Sequence, residues 1–399
     1  MSNRGAILQL ACKGEEDLNL TAIPTYDPFA FAYTQYYDFA KELAEIQLNE
    51  NADFGKKITV FVPRNGHLLS SLYLNIQLPT LIPTSGAFAS WSDALGYAIF
   101  DGPIELEIGG QVVDRLYPEH LDITDELTET SQKTGLDLMI LKSDIYSAAF
   151  ANAINPVNLI IPLPFWFVKS VNLSLPLCSM TTQEIRVNFK LKNFGDVINY
   201  DGDTPPDPVS ITNASLFAEY TFLDYRLIKQ FQQKEHRFLI SQTLFDTTSS
   251  IQKGIKNFHL NVPFNHPCKE IFIVAKDSVS IANNDYFNYS RPSDGNPIIN
   301  ELSLILDGKP RFSSKNEKIF RTVTCKNTHS VIPTKYIYCL PFCDKPELNQ
   351  PTGSLNLSCF SDVQLSINVN NDNDSILYVF ANVINFVNIK DGCLYLEYM

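Results

Sequence analysis

Residues 104–110 read Ile-Glu-Leu-Glu-Ile-Gly-Gly, and residues 302–308 read Leu-Ser-Leu-Ile-Leu-Asp-Gly. Each stretch places an apolar side chain at every second position and ends at a glycine, the pattern of a β-strand with one buried face that closes in a turn. Working outward, Val62-Pro63 returns as Val262-Pro263, Leu163-Pro164-Phe165 as Leu340-Pro341-Phe342, the strand Ile185 to Leu191 as Val363 to Val369, and 216–220 (LFAEY) as 394–398 (LYLEY). In chain order the offsets are 200 and 198, then 177, 178 and 178. An offset that changes once, by about 20 residues, is the trace of a duplicated domain whose first copy carries one insertion, here between Gly110 and Leu163.

The chain has 399 residues, enough for two domains that each bury a core without staples. Its 27 Phe and 18 Tyr against 4 Met favour strands. A net charge of -13, with 31 Lys plus Arg, argues against a general nucleic-acid-binding surface, which needs a basic face to neutralise phosphates. Ala6 to Cys12 is too short and too polar for a signal peptide, and no run of 18 apolar residues exists, so no transmembrane helix is expected. The eight cysteines lack a Cys-x-x-Cys pair and are expected as reduced thiols; the six Asn-x-Ser/Thr sequons, Asn172, Asn213 and Asn288 among them, are expected to be silent.

Alternation recurs at Leu72 to Leu78, Ile185 to Leu191 and Val363 to Val369, as in antiparallel sheets packed on one side. Helical patterning is scarce: Phe39 to Leu48 predicts a short amphipathic helix, the insertion Glu119 to Asn152 one or two more, and Leu223 to His236 a connecting helix. Loops are expected at Asp201 to Pro208, Asn283 to Pro297 and Asn370 to Asp374. The loop at Asp201, Asp203 and Asp207 has its glycine misplaced and two prolines between the acids, and it carries Thr212 where a calcium loop needs a bidentate glutamate. The fold class expected is all-β: two tandem eight-stranded jelly-roll β-sandwiches with short helices in the connections.

Chemistry leaves little trace. His67, His120, His236, His259, His266 and His329 show no metal-ligand spacing, and no nucleophile elbow, phosphate loop or dinucleotide fingerprint is present. Glu105 and Glu107 lie on the outer face of their strand, where solvation is the expected role. No catalytic, metal or cofactor-binding residue is assigned.

Several strings, taken together, resemble the double jelly-roll major capsid proteins of the nucleocytoplasmic large DNA viruses of eukaryotes. They are Gly5 to Thr21 (GAILQLACKGEEDLNLT) with Pro24, Phe29, Tyr33, Phe39-Ala40 and Glu42; Val62 to Leu69 (VPRNGHLL) with Leu78-Pro79; Ile161 to Phe167 (IPLPFWF); Leu223-Asp224 with Phe231, His236 and Leu239-Ile240; His266 to Lys276 (HPCKEIFIVAK); Gln350 to Ser358 (QPTGSLNLS); and Ala381 to Leu396. The chain is short for that family, which suggests small surface loops.

The resemblance implies a non-enzymatic building block without a cofactor: a homotrimer forming a pseudo-hexameric capsomer that tiles an icosahedral shell. Its implied partners are itself, neighbouring capsomers, minor capsid and penton proteins and the inner viral membrane, with no direct nucleic-acid binding. The implied location is the virion capsid, assembled in the host cytoplasm. The expected division is an N-terminal arm over 1–22, a first jelly roll over 23–224, a connector over 225–237 and a second jelly roll over 238–399. The signature residues are Arg64, Asn65, Gly66, Pro162, Pro164, Phe165, Trp166, Phe167, Leu223, Asp224, His266, Pro267, Gln350, Pro351 and Gly353. Rival readings are a paralogous minor capsid or membrane-scaffolding protein, a glycan hydrolase with acidic or histidine side chains converging between the sandwiches, and a glycan-binding module with an aromatic platform at Tyr286 to Tyr289.

Overall fold

The computed structural model describes residues 4–25, 27–29, 35–48, 52–86, 88–128, 133–142 and 155–398. Tyr33 and parts of the insertion, residues 129–132 and 143–154, lie outside the described residues. The chain divides into two units, Met1–Asp38 and Phe39–Met399. The first unit contains the helices Arg4–Ala11 and Glu15–Thr21. All its described residues are exposed, and the second helix opens with Glu15, Glu16 and Asp17, negative charges that suit the positive end of a helix dipole. No helix among the described residues is long and apolar enough to cross a membrane.

The second unit begins with strands β1 (Phe39–Gln47), β2 (Lys57–Val62), β3 (Leu68–Leu78), β4 (Ala89–Trp91), β5 (Ile104–Ile108), β6 (Gln111–Leu116), β7 (Val157–Pro162), β8 (Ile185–Lys190), β9 (Ile198–Tyr200) and β10 (Asn213–Leu223). A helix over Tyr225–Gln233 follows, inside the stretch where spacing predicts one. Then come β11 (His236–Phe245), β12 (Ser249–Ile251), β13 (Asn257–Asn261), β14 (Pro267–Asp277), β15 (Ile299–Leu306), β16 (Lys309–Asn316), β17 (Tyr338–Pro341), β18 (Leu355–Asn356), β19 (Val363–Val369), β20 (Ser375–Lys390) and β21 (Cys393–Leu396).

The strand orders of the two halves are the same. The first half has sheets β1-β10-β3-β7 and β2-β8-β5-β6; the second has β11-β20-β14-β17 and β13-β19-β15-β16, with β12 and β21 added on β20 and β18 on β14. Two four-stranded antiparallel sheets in this order, packed face to face, make a jelly roll, and the chain has two. Alternation drives it: β5 and β19 bury every second side chain. Residues 117–156 join β6 to β7 while only residues 317–337 join β16 to β17, so the inserted stretch of about 20 residues sits where the change of offset puts it.

A shared bulge fixes the register of the duplication. On β3, Ser70 is skipped between the pairs Leu69 with Tyr220 and Ser71 with Glu219. On β14, Lys269 is skipped between Cys268 with Val383 and Glu270 with Asn382. Ser70 therefore corresponds to Lys269, Glu219 to Asn382 and Leu216 to Val379. This corrects one of the five sequence pairs: 394–398 is not the counterpart of 216–220. It starts in β21, an extra strand that folds back on the end of β20, with Leu394 opposite Ile389.

Phe39 to Leu48 is likewise not a helix. Its residues Phe39–Gln47 form edge strand β1, paired in unbroken register with β10 from Phe39 opposite Leu223 to Gln47 opposite Ser215. Ala44, Ile46 and Leu48 pack against the first core. The second sandwich has its own core, whereas the first core extends across the joint to Ile240, Phe287, Val387, Ile389 and Leu394 of the second half. A third apolar cluster also bridges the halves, with Ile123 and Leu127 of the helix Pro118–Leu127 against Phe272, Val274 and Phe380.

Candidate functional site at the joint between the sandwiches

The signature residues hold turns and joints. The Arg64 guanidinium donates to the carbonyls of Thr181, at 2.7 Å, and Gln183. A Cβ on Gly66 would stand 2.6 Å from the Tyr220 side chain, and the Tyr220 hydroxyl donates to the Pro63 carbonyl at 2.6 Å, so glycine lets the turn close over the tyrosine. Asn65 is exposed. The Leu223 amide donates to His67 Nδ1 at 2.9 Å, tying the end of β10 to the same turn, and Asp224 is the N-cap residue of the helix Tyr225–Gln233. Pro162 and Pro164 are half-buried, whereas Phe165, Trp166 and Phe167 are fully buried. His266 adopts φ 81 just before Pro267 opens β14, and its carbonyl accepts from Leu357. Gln350 is exposed, Pro351 half-buried, and Gly353, at φ 145, passes so close to Phe342 that a Cβ would meet its carbonyl oxygen at 3.1 Å. Leu223 is tied to the turn that follows Arg64, and the others are spread over further turns, strand ends and the core, so they do not converge on one site.

The convergence lies instead where the helix Pro118–Leu127 crosses the outer face of β11, β20 and β14. Tyr117 packs on Phe245 and Phe380, at 5.2 and 5.7 Å, and His120 on Phe272 and Phe380, at 5.7 and 5.8 Å. Around this apolar contact runs a buried ionic network. Glu119 pairs with Lys276 at 2.9 Å, and Asp122 with Lys335 at 2.7 Å and with the Tyr289 hydroxyl at 3.0 Å. Lys142 reaches Asp122, Asp125 and Glu126 at 3.4, 3.3 and 2.9 Å. Burial opposes the charge on Lys142, but the three carboxylates outweigh it and raise its pKa above the ordinary lysine range. Burial likewise opposes the Glu119 charge, and Lys276 overcomes it, so Glu119 stays ionised below its usual range.

Beside this network is a cavity of about 310 Å³ lined by His120, Lys169, Lys269, Glu270, His329 and Glu347 among others. Acidic and histidine side chains therefore do meet between the sandwiches, which no local spacing signals. Their partners are structural. Lys269 donates to Ser241 Oγ and to the carbonyls of Pro346 and Leu348 at 3.1, 3.0 and 2.9 Å; an ammonium with three acceptors has no lone pair to take the Ser241 proton. His329 lies between Glu270 at 2.9 Å and Glu347 at 3.4 Å; burial opposes its charge, but Glu270 outweighs burial and raises its pKa. Phe287 and Tyr289 are buried, so 286–289 offers no aromatic platform. Glu105 pairs with Arg115 at 2.8 Å, and Glu107 accepts from Asn188 at 2.8 Å. Among the described residues no group of three or more His, Cys, Asp or Glu side chains is placed to hold a metal ion.

The joint is pH-sensitive through His120, whose ring donates from Nε2 to Asn382 Oδ1 at 2.9 Å. Burial, aided by the Lys169 charge, pushes its pKa down to about 3. The folded protein thus holds His120 neutral while the unfolded chain protonates near 6.5, so stability present above pH 6.5 is lost as pH falls towards 3. Asp114 acts oppositely: burial pushes it up to about 6, so its contribution declines as pH rises from 3.8 to 6. Against a His120→Gln variant, which keeps Asp114, the wild type is expected to lose up to about 1.4 kcal/mol per pH unit below 6.5. Urea melts at pH 7 and pH 5 check this; a stability difference independent of pH would contradict it.

Comparison with known proteins gives a consistent set of matches. Residues 28–224 match the family model described as major capsid protein N-terminus, and residues 228–394 match that of the large eukaryotic DNA virus major capsid protein. The chain is 28% identical to the major capsid protein of Pyramimonas orientalis virus, over 97% of this chain and 98% of that one. It is 24% identical to the major capsid protein of Paramecium bursaria Chlorella virus 1, over 91% and 87%. Among solved structures, the crystal structure of PBCV-1 VP54 superposes with a TM-score of 0.81 at 21% identity, covering 93% of this chain and 99% of that one. At that identity the likeness speaks for the fold, the double jelly roll traced above.

Proposed function

Because this chain belongs to the major capsid protein family of the large eukaryotic DNA viruses, structural proteins of the virion capsid and not enzymes, we propose that three copies of it form a pseudo-hexameric capsomer that tiles an icosahedral shell. The observation that carries this reading is the duplication itself. Two jelly rolls of identical strand order, locked in one chain by a buried joint, let a three-fold ring present six similar blocks, so hexagonal tiling needs only three chains. A joint built from ion pairs and packed aromatics suits that task, since it fixes the angle between the blocks.

In this reading the N-terminal arm over 1–22 reaches towards neighbouring capsomers or the inner viral membrane, and the blocks over 23–224 and 238–399, with the connector over 225–237, form the wall. Minor capsid and penton proteins fill the gaps between capsomers, and assembly takes place in the host cytoplasm. Among the signature residues, Arg64, Gly66, His266 and Gly353 serve this function by holding turns, and Phe165, Trp166 and Phe167 by filling the core. The acidic chain, at net charge -13, neither traps the genome nor self-associates through charge neutrality. Quantitative mass spectrometry of purified virions tests the reading: this chain is expected as the most abundant protein by mass. A copy number in the range of a penton component would instead make it the minor paralogue.

A further inference from the structure

The internal joint has an unfilled counterpart. In the first half, β6 and the helix Pro118–Leu127 lie across the outer face of the second half's β11-β20-β14 sheet and bury Phe272 and Phe380 to 2% and 0% exposure. The shared register carries each position of that face to the other half: Phe272 to Tyr73, Phe380 to Phe217, Thr243 to Leu43, Phe245 to Glu45 and Asn382 to Glu219. There the face is open. Leu43 is 58% exposed, nearly all of β1 is exposed, and Tyr73 and Phe217 are half-buried. The counterpart of the docking segment is open too: β16 is exposed along almost its whole length, and Val323 beyond it is 52% exposed.

The charges are inverted between the two. The acidic first-half segment, with Glu119 and Asp122, meets Lys276 and Lys335. The second-half segment is basic, with Lys309, Arg311, Lys315 and Lys318 all exposed, and the open face is acidic by one charge, with Glu45 and with Glu219 paired to Lys41 at 3.2 Å. We propose that β16 and the segment after it in one copy dock on the β1-β10-β3 face of the next copy, repeating the internal joint with its charges reversed. This deepens the capsomer reading and rests on it. The contact is head-to-tail, so three copies close a ring in which internal and intermolecular joints alternate. Selectivity follows from occupancy: within each chain the acidic segment and the lysine-bearing face already cover each other, with Lys276 and Asp122 buried, so only the basic segment and the β1-β10-β3 face are left to meet another copy.

The test is the mass in solution of three variants at micromolar concentration, with circular dichroism to confirm folding. Lys309→Glu, Arg311→Glu and Lys315→Glu together, or Glu45→Lys with Glu219→Lys, are each expected to leave a folded monomer of 45.0 kDa. All five substitutions in one chain are expected to restore a trimer of about 135 kDa. If the wild type is a trimer and either partial set stays trimeric, or the full set stays monomeric, the docking assignment is overturned while the capsomer reading stands. A monomeric wild type overturns the capsomer reading itself.

Discussion

Replacing Lys142 by methionine is expected to destabilise the protein by about 3–5 kcal/mol, the loss typical of removing one partner from a buried ion pair. The Lys142 side chain is only 6% exposed, and those of Asp122, Asp125 and Glu126 are 0%, 6% and 7% exposed. Methionine has similar length and fills the space, so packing is kept and the shared cation is lost. The carboxylates then repel one another in a medium where each charge interacts more strongly than in water. Converting Asp125 to Asn and Glu126 to Gln in the Lys142→Met background is expected to recover most of the loss, because it removes the charges the lysine balanced. Urea denaturation measures both steps. A loss under about 1 kcal/mol, the range of a surface ion pair, would contradict the account of this joint.

Trp166→Ala is expected to cost a further independent 3–5 kcal/mol, the range for emptying an aromatic site in a core. Trp166 is fully buried, packs edge-on to Phe167 at 5.6 Å and reaches across the joint to Phe238 of β11 at 6.0 Å. Its backbone amide donates to Asp114 Oδ2 at 3.2 Å. Truncation therefore opens a cavity at a place that both sandwiches share, and neither can collapse into it alone. Phe165→Ala, fully buried within the first core, is expected to cost a similar amount. An unchanged melting temperature for either variant would contradict its place in the core.

Most strands of the two jelly rolls were legible in the sequence because alternation and turn residues are local signals. The exceptions have physical causes. Phe39–Gln47 (FAKELAEIQ) is rich in Ala, Leu, Lys and Glu, good helix formers, and becomes a strand only because β10 offers it an edge some 180 positions away. Leu394 to Tyr398 mimics a strand core that the register assigns to β20. The joint was half legible: the acidic run around Asp122 stands out in the insertion, but Lys276, 157 positions from Glu119, and Lys335, 213 positions from Asp122, carry no local mark of their partners. Such a site is written in tertiary contacts, which spacing along the chain does not encode.

The measurement that tests the shell-subunit reading most directly is the mass and symmetry of the purified wild-type protein, by light scattering with negative-stain imaging. Three 45.0 kDa chains predict a particle of about 135 kDa with a hexagonal outline. A monodisperse 45.0 kDa monomer at micromolar concentration would contradict it.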